Sequence, residues 1–151
     1  MTARRLVLFD IDGTLLHSGG AGRRAIRAAL RPWLPDAAAF DRVRFDGKTD
    51  PQIVAELLAA GGDPEPAEPS RLAAVCERYV VALEAELAGN GTRPATHAGV
   101  PELLGRLEGE AGVVLGLLTG NVAAGAGLKL RAAGLDPARF RLGAYGSDSA
   151  H

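Results

Sequence analysis

The sequence predicts an α/β protein in which a helical segment is inserted into a parallel β-sheet. Residues 6–9 and 113–118 are apolar runs without polar alternation, which is typical of strands buried on both faces of a parallel sheet. Almost everything between residues 16 and 92 reads as helix or loop, so no further sheet strand is expected there. The two strands therefore belong to one core that a helical insertion interrupts.

The insertion contains three predicted helices and one ambiguous stretch at 40–45. The first helix covers 21–30 and ends before Pro32. The second has Asp50 as its N-cap and Pro51 at its first position, and stops at Gly61 and Gly62. The third starts at Ser70 and runs to about residue 87, where Gly89, Asn90 and Gly91 end it. Its apolar positions at helical spacing are Leu72, Val75, Cys76, Tyr79, Val80 and Leu83.

The chain then returns to the core. Residues 92–99 read as a linker, a short helix covers 101–107, and the strand at 113–118 is followed by a helix over 122–133. A weaker third strand is expected at 140–144. We therefore predict two domains: an α/β core made of 1–16 and 93–151, and a helical domain made of 17–92.

Composition and charge exclude several classes of protein. The chain of 151 residues is 47% hydrophobic and 23% charged with a net charge of -1, which indicates a soluble globular protein without the basic stripe that nucleic acid requires. No apolar run approaches membrane-spanning length, and the first residues leave no room for a signal peptide. The single cysteine, Cys76, reads as a small buried side chain. These features favour a cytoplasmic protein without membrane or nucleic-acid partners.

Two aspartates, Asp10 and Asp12, follow the first strand and precede Gly13. Open α/β sheets bind their ligands at the carboxyl ends of their strands. Two carboxylates so close need a cation between them, or divide into a charged and a protonated member. The alternative is that they only form a turn, since Asp-Gly is a common turn dipeptide.

A second polar group, Thr119-Gly120-Asn121, follows the second strand and precedes a helix. A hydroxyl, backbone N–H groups and the positive end of a helix dipole suit phosphate oxygens. An ordinary strand-to-helix turn with Asn as cap is the alternative. Lys48 and Lys129 are the only lysines among 17 basic residues, which marks both as candidates for a phosphate site, although two cases are also compatible with chance.

Taken together, these residues resemble the motifs of the haloacid dehalogenase-like hydrolases. Residues 10–14, Asp-Ile-Asp-Gly-Thr, resemble the first motif; residues 117–121, Leu-Leu-Thr-Gly-Asn, resemble the second; and Lys129 matches the lysine of the third. Residues 47–50 resemble a loop of the helical cap in the phosphoglycolate phosphatase-like branch, which faces the active site on closure. The resemblance implies a Rossmann-like core with an inserted α-helical cap.

The resemblance also implies a role for each residue. Asp10 would be the nucleophile that forms an aspartyl-phosphate, and Asp12 the acid and base. Mg²⁺ would be held by Asp10 and the backbone carbonyl of Asp12. Lys129 would steady the charge on the nucleophile and the phosphoryl oxygens. The phosphate-binding residues would be Thr119, Gly120, Asn121 and Lys48. The substrate would be a small phosphorylated metabolite.

One departure from the family stands out, because the chain stops before the strand that carries the fourth motif, whose acids complete the magnesium shell. Asp148 is a poor substitute, since the third strand should lie two places, or roughly 10 Å, from the first. We expect at best a weak enzyme, with the first strand as an edge that leaves the chain poorly folded, aggregated, or paired with a second copy. A non-catalytic or partner-completed fragment and a sugar phosphomutase remain alternatives, whereas Asp12 argues against a dehalogenase and against phosphonate cleavage.

Overall fold

The structure, a computed structural model, describes residues 4–34, 38–89 and 93–148. It is an α/β fold, as predicted. The elements in chain order are β1 (Arg5–Phe9), β2 (Leu16–His17), α1 (Ala21–Leu30), α2 (Ala38–Arg42), α3 (Asp50–Ala60), α4 (Pro69–Ala88), β3 (Ala95–Thr96), α5 (Val100–Gly109), β4 (Val113–Leu118), α6 (Ala123–Ala132), a 3₁₀ turn (Pro137–Arg139) and β5 (Leu142–Ala144).

The main sheet has three parallel strands in the order β1-β4-β5. The two apolar runs pair directly with each other, from Arg5 opposite Val113 to Phe9 opposite Leu117. The third strand lies two places from the first, as predicted. It is shorter than expected, because Phe140 ends the preceding 3₁₀ turn and pairing with β4 starts at Leu142.

The prediction that the first strand is buried on both faces is wrong. Val7 and Phe9 pack into the core, but Leu6 and Leu8 on the other face are 53% and 44% exposed. Within the described ranges, β1 hydrogen-bonds to β4 alone, so it forms an edge of this sheet. The apolar run therefore reflects pairing with β4 and burial of one face.

A small two-stranded ribbon joins the points where the chain leaves and re-enters the core, and the sequence did not predict it. Leu16 lies opposite Thr96, and His17 opposite Ala95, in antiparallel pairing. Each strand has only two residues, which is too short for any recognisable alternation. The prediction of no further strand near residue 16, and of a plain linker over 92–99, is corrected accordingly.

Two helices begin at residues other than those predicted. Thr49, rather than Asp50, caps α3, and its hydroxyl accepts a hydrogen bond from the Gln52 N–H at 3.2 Å. Glu68, rather than Ser70, caps α4. At α3, Thr49 and Asp50 are adjacent residues of capping type, so local sequence does not select one. At α4, Glu68 is not a usual capping residue, but its carboxylate accepts from the N–H groups of Ser70 and Arg71. The predicted stop of α4 is met by Gly89, while Asn90 and Gly91 lie outside the described residues.

Side chains pack in two apolar clusters. One cluster holds together the four helices from α1 through α4, a segment that we call the helical insertion. It contains the predicted apolar face of α4. The other lies between the sheet, α5 and α6. Val122 belongs to the first cluster although it precedes α6, so the helical insertion packs against the core beside the second polar motif. The domain boundaries at 16 and 93 stay predictions. Among the described residues, no helix is long and apolar enough to cross a membrane.

Candidate active site

The carboxyl ends of β1 and β4 open into a cavity of about 820 Å³ between the sheet and the helical insertion. Both predicted motifs line it, as expected for the ligand edge of an open α/β sheet. The predicted site residues among its lining are Asp10, Asp12, Lys48, Thr119, Gly120, Asn121 and Lys129. Four segments thus meet at one site: the loop after β1, the 47–50 loop, the turn after β4 and α6.

Asp10 comes directly after β1 and is exposed to the cavity. Its Oδ1 accepts a hydrogen bond from the Ile11 N–H at 2.7 Å. In the described part of the chain, its other oxygen has no hydrogen-bond partner. The backbone turns sharply after it, with Gly13 at a φ of 75°, which only glycine adopts without strain. This turn leaves one carboxylate oxygen of Asp10 free for a ligand.

Asp12 is held by two donors that come from the second motif and from α6. Its Oδ2 accepts hydrogen bonds from Lys129 Nζ at 2.7 Å and from Asn121 Nδ2 at 2.8 Å. Both donors bind the same oxygen, which leaves Oδ1 as the carboxylate oxygen without a hydrogen bond among the described residues. A proton on this carboxylate would therefore sit on Oδ1.

Thr119 and Asn121 form a compact turn after β4. The Thr119 hydroxyl oxygen accepts hydrogen bonds from the Asn121 N–H at 3.2 Å and from Asn121 Nδ2 at 2.8 Å. Since the oxygen only accepts in these bonds, its own hydrogen remains available for a ligand. Both side chains are buried. The turn is therefore a preorganised polar surface.

Lys129 lies in α6 and is only 4% exposed, which is rare for a lysine unless it is paired. Side chains on a helix lean toward its amino terminus, so Lys129 reaches back over the start of α6. There its ammonium donates to Asp12 and to Asn121 Oδ1 at 2.6 Å. The resemblance implied a lysine that steadies the nucleophile Asp10, whereas the ion pair observed is with Asp12.

Lys48, in the 47–50 loop, also lines the cavity. Its ammonium forms an ion pair with Glu56 on α3, inside the helical insertion. Its carbonyl oxygen lies directly against Gly120, where a Cβ would overlap it. Only glycine allows this approach between the 47–50 loop and the turn after β4.

Asp50 is a site residue that the sequence does not reveal, because its residue type and position equally suit the N-cap of α3. Its N–H donates to the Gly120 carbonyl at 2.8 Å, and its Oδ2 accepts from the Val122 N–H at 2.8 Å. Burial raises the pKa of Asp50 to about 6 from an ordinary 3.8, opposed by nearby Lys129 and by the Val122 hydrogen bond. The one available signal was its place in the 47–50 loop that resembles a family motif.

The residues present suit a magnesium ion that keeps much of its own water. No group of three or more His, Cys, Asp or Glu side chains that could hold a metal occurs in the part of the chain described here. Magnesium, however, commonly takes one or two carboxylates together with water and substrate phosphate. The predicted ligands, Asp10 and the Asp12 carbonyl, would be a donor set of this kind. Asp148 lines the same cavity, but one of its oxygens accepts from the Tyr145 N–H at 2.8 Å.

Comparison with solved structures shows which fold this is. CbbY from Rhodobacter sphaeroides, in complex with phosphate, matches 97% of the chain with a TM-score of 0.73 and 24% identity. A predicted phosphoglycolate phosphatase from Haemophilus somnus matches 100% of it with a TM-score of 0.67 and 20% identity. The chain shares the α/β fold of these two proteins.

The fold predicted from the sequence motifs is thereby confirmed. At these identities the likeness is one of fold. The chain spans 65% of the length of CbbY and 66% of that of the Haemophilus protein. Comparisons with protein-family models and with curated proteins give no match.

Proposed function

We propose that the protein is a phosphomonoester hydrolase that works through an aspartyl-phosphate on Asp10. The observation that carries this proposal is the network that joins Asp12, Asn121 and Lys129 beside Asp10. It combines a carboxylate that can attack, a carboxylate that can hold a proton, and donors suited to phosphoryl oxygens. The fold shared with a phosphate complex of CbbY supports the same reading.

In the first step, an Asp10 oxygen attacks phosphorus and forms the acyl-phosphate bond while the bond from phosphorus to the leaving oxygen breaks. A proton from Asp12 Oδ1 passes to that leaving oxygen. Asp12 Oδ2 stays bound to Lys129 and Asn121, so the acid is held in a fixed orientation. The alcohol then leaves the cavity.

In the second step, water attacks phosphorus, the bond between phosphorus and the Asp10 oxygen breaks to release inorganic phosphate and regenerate Asp10, and Asp12 accepts the proton of that water. The Thr119 hydroxyl and the Gly120 N–H would donate to the phosphoryl oxygens, with the Lys129 ammonium close by. Bound magnesium, held by Asp10 and the Asp12 carbonyl, would neutralise charge on the transferred group.

The substrate class and location follow as parts of the same proposal. A cavity of about 820 Å³ suits a small phosphorylated metabolite. Cys76 is a free thiol whose pKa burial raises to about 11, so it is an unreactive side chain. A lone unreactive thiol is consistent with a cytoplasmic protein.

The test is magnesium-dependent hydrolysis of p-nitrophenyl phosphate by the purified chain. We expect Asp10→Asn to lower kcat by at least about 1000-fold, because the amide cannot attack phosphorus. Asp12→Asn should lower it by about 100-fold, because general acid catalysis is lost. Asp41→Asn, an exposed aspartate of α2, is the matched control and should leave kcat unchanged.

An Asp10→Asn protein with activity close to the parent would refute the assignment of the nucleophile. Binding of phosphate without any turnover by the parent would favour the non-catalytic alternative.

A further inference from the structure

Helix α6, which carries Lys129, receives its amino-terminal cap from a distant residue. Its N-cap residue is Val122, whose apolar side chain makes no capping hydrogen bond. The Asp50 carboxylate, 72 positions earlier in the chain, accepts the Val122 N–H instead. A negative charge at this end of a helix also interacts favourably with the helix dipole. The helical insertion thus completes a helix of the core.

The same residue holds the other side of the turn through its backbone. The Asp50 N–H donates to the Gly120 carbonyl at 2.8 Å, so Asp50 brackets the segment between Gly120 and Val122 with one donor and one acceptor. Gly120 has no room for a side chain on that side, because the Lys48 backbone lies against it. The contact therefore depends on the 47–50 loop being docked on the turn.

The Asp50 carboxylate is only 6% exposed, and a buried carboxylate is unfavourable unless its surroundings compensate. The charged groups that act on it are Lys129 from α6 and Asp12 from the loop after β1, while Tyr79 and Cys76 approach from α4. Capping of α3 does not explain this position, since Thr49 already caps that helix. The carboxylate needs another explanation, and the turn that it touches suggests one.

We propose that Asp50 is a positioning residue, which fixes the Thr119-Gly120-Asn121 turn and the start of α6 only when the helical insertion is docked on the core. This inference rests on the proposed function for its effect on catalysis. Docking and formation of the phosphate-binding surface are then one event. Without Asp50 the turn loses its bond at Val122, and the donors on Thr119, Asn121 and Lys129 lose their fixed arrangement.

The first test is amide hydrogen exchange, which needs no turnover. In the parent the Val122 amide should exchange at least about tenfold more slowly than the Ala123 amide, because the Val122 N–H is buried and bonded at 2.8 Å, whereas the exposed Ala123 N–H makes only a 3.4 Å bond to the Ser147 hydroxyl oxygen. Asp50→Ala should speed exchange at Val122 about tenfold, whereas Asp50→Asn should retain most of the protection through its amide oxygen. Asp136→Ala, which removes a similar cap from the 3₁₀ turn, should leave Val122 unchanged.

The second test compares kcat and KM for p-nitrophenyl phosphate well below the melting temperature. Asp50→Ala should lower kcat about tenfold with a smaller change in KM, and Asp50→Asn should restore kcat to within about threefold of the parent. If a residue only stabilised the fold, its substitution would lower the melting temperature and leave kcat intact, as we expect for Asp136→Ala.

These outcomes separate the inference from the proposed function. A parent without turnover refutes the hydrolase, while the exchange measurement still tests Asp50. A parent that turns over, with an Asp50→Ala variant of unchanged kcat and unchanged Val122 exchange, refutes the role of Asp50 alone. If Asp50→Ala fails to fold, the parent and Asp50→Asn decide. A Val122 amide in the parent that exchanges as fast as that of Ala123 overturns the inference. Slow Val122 exchange in Asp50→Asn, with kcat close to the parent value, supports it.

Discussion

At the scale of single residues, the buried carboxylate of Asp50 links stability to pH. Its pKa is about 6 in the folded protein and 3.8 as an ordinary value. The folded state therefore binds a proton more tightly than the unfolded state, and stability is lost as pH rises from about 4 through 6. A shift of this size corresponds to roughly 3 kcal/mol.

We predict that Asp50→Asn raises the free energy of unfolding at pH 7, because the amide accepts the Val122 hydrogen bond without burying a charge. The gain over the parent should be near zero below pH 4 and reach roughly 2 to 3 kcal/mol above pH 6.5. Urea unfolding at several pH values measures it, with Asp136→Asn as the control. A gain that does not change between pH 4 and 7 would contradict the raised pKa.

The two lysines should differ in importance. Lys129 is buried and donates to Asp12 and Asn121, whereas the Lys48 ammonium pairs with Glu56 within the helical insertion. We predict that Lys129→Ala lowers kcat by about 100-fold, since it removes a preorganised positive charge beside the phosphoryl group. Lys48→Ala should change kcat less and alter preference among phosphorylated substrates. Equal effects of the two substitutions on kcat would show that the burial of Lys129 and its bonds to Asp12 and Asn121 do not make it more important for catalysis than Lys48.

At the scale of elements, the loop before α3 and the turn before α6 act on each other. Asp50, the first residue of α3, supplies the cap of α6, and the turn supplies the glycine that lets the loop approach. Gly146, which follows β5, also packs on this turn, and its N–H donates to the Asn121 carbonyl at 2.9 Å. The site is therefore built from turns that support one another.

Gly120→Ala tests this arrangement, because the new methyl group would overlap the backbone of Lys48. Backbone atoms yield less easily than side chains, so we expect a loss of about 1 to 3 kcal/mol in stability together with faster amide exchange in the 47–50 loop. Gly105→Ala in α5 is the matched control, because open space surrounds it, and it should be neutral or stabilising by up to about 1 kcal/mol. Equal stability of the two variants would argue against a tight contact at Gly120.

At the scale of the whole molecule, one face of the main sheet is apolar and exposed. Leu6 and Leu8 on β1, Leu118 on β4 and Leu142 on β5 all point to this face. Leu8 and Leu142 lie on either side of Gly116. Exposed apolar patches together with an unpaired strand edge favour association with another chain.

We therefore expect the purified 151-residue chain to self-associate through β1 and this face. Size-exclusion chromatography with light scattering should give a mass above 15.6 kDa. The double substitution Leu8→Lys with Leu142→Glu should shift the protein toward the monomer. Val81→Lys removes an isolated exposed side chain on α4 and should leave the mass unchanged. A parent that is monomeric with a sharp thermal transition would refute self-association.

The amino-acid sequence by itself determined the features that depend on neighbours along the chain. Apolar runs and spacing identified the strand Val113–Leu118 and the helix Ala21–Leu30 with their observed bounds. The same local logic put Asp10, Asp12 and the Thr119 turn at strand ends, because a strand that stops at polar residues places them at the sheet edge.

Only the tertiary structure decided which of these residues touch. The capping of α6 by Asp50, the approach of Lys48 to Gly120, the pairing of Lys129 with Asp12 and the two-residue strands β2 and β3 join positions far apart in the chain. Both Thr49 and Asp50 are residue types that cap helices, and Asp ranks above Thr. Only the position of α6 explains why the Thr49 hydroxyl caps α3 while the Asp50 carboxylate binds Val122. The exposure of Leu6 and Leu8 has the same origin, since burial depends on what packs across a face, which the strand's own residues do not encode.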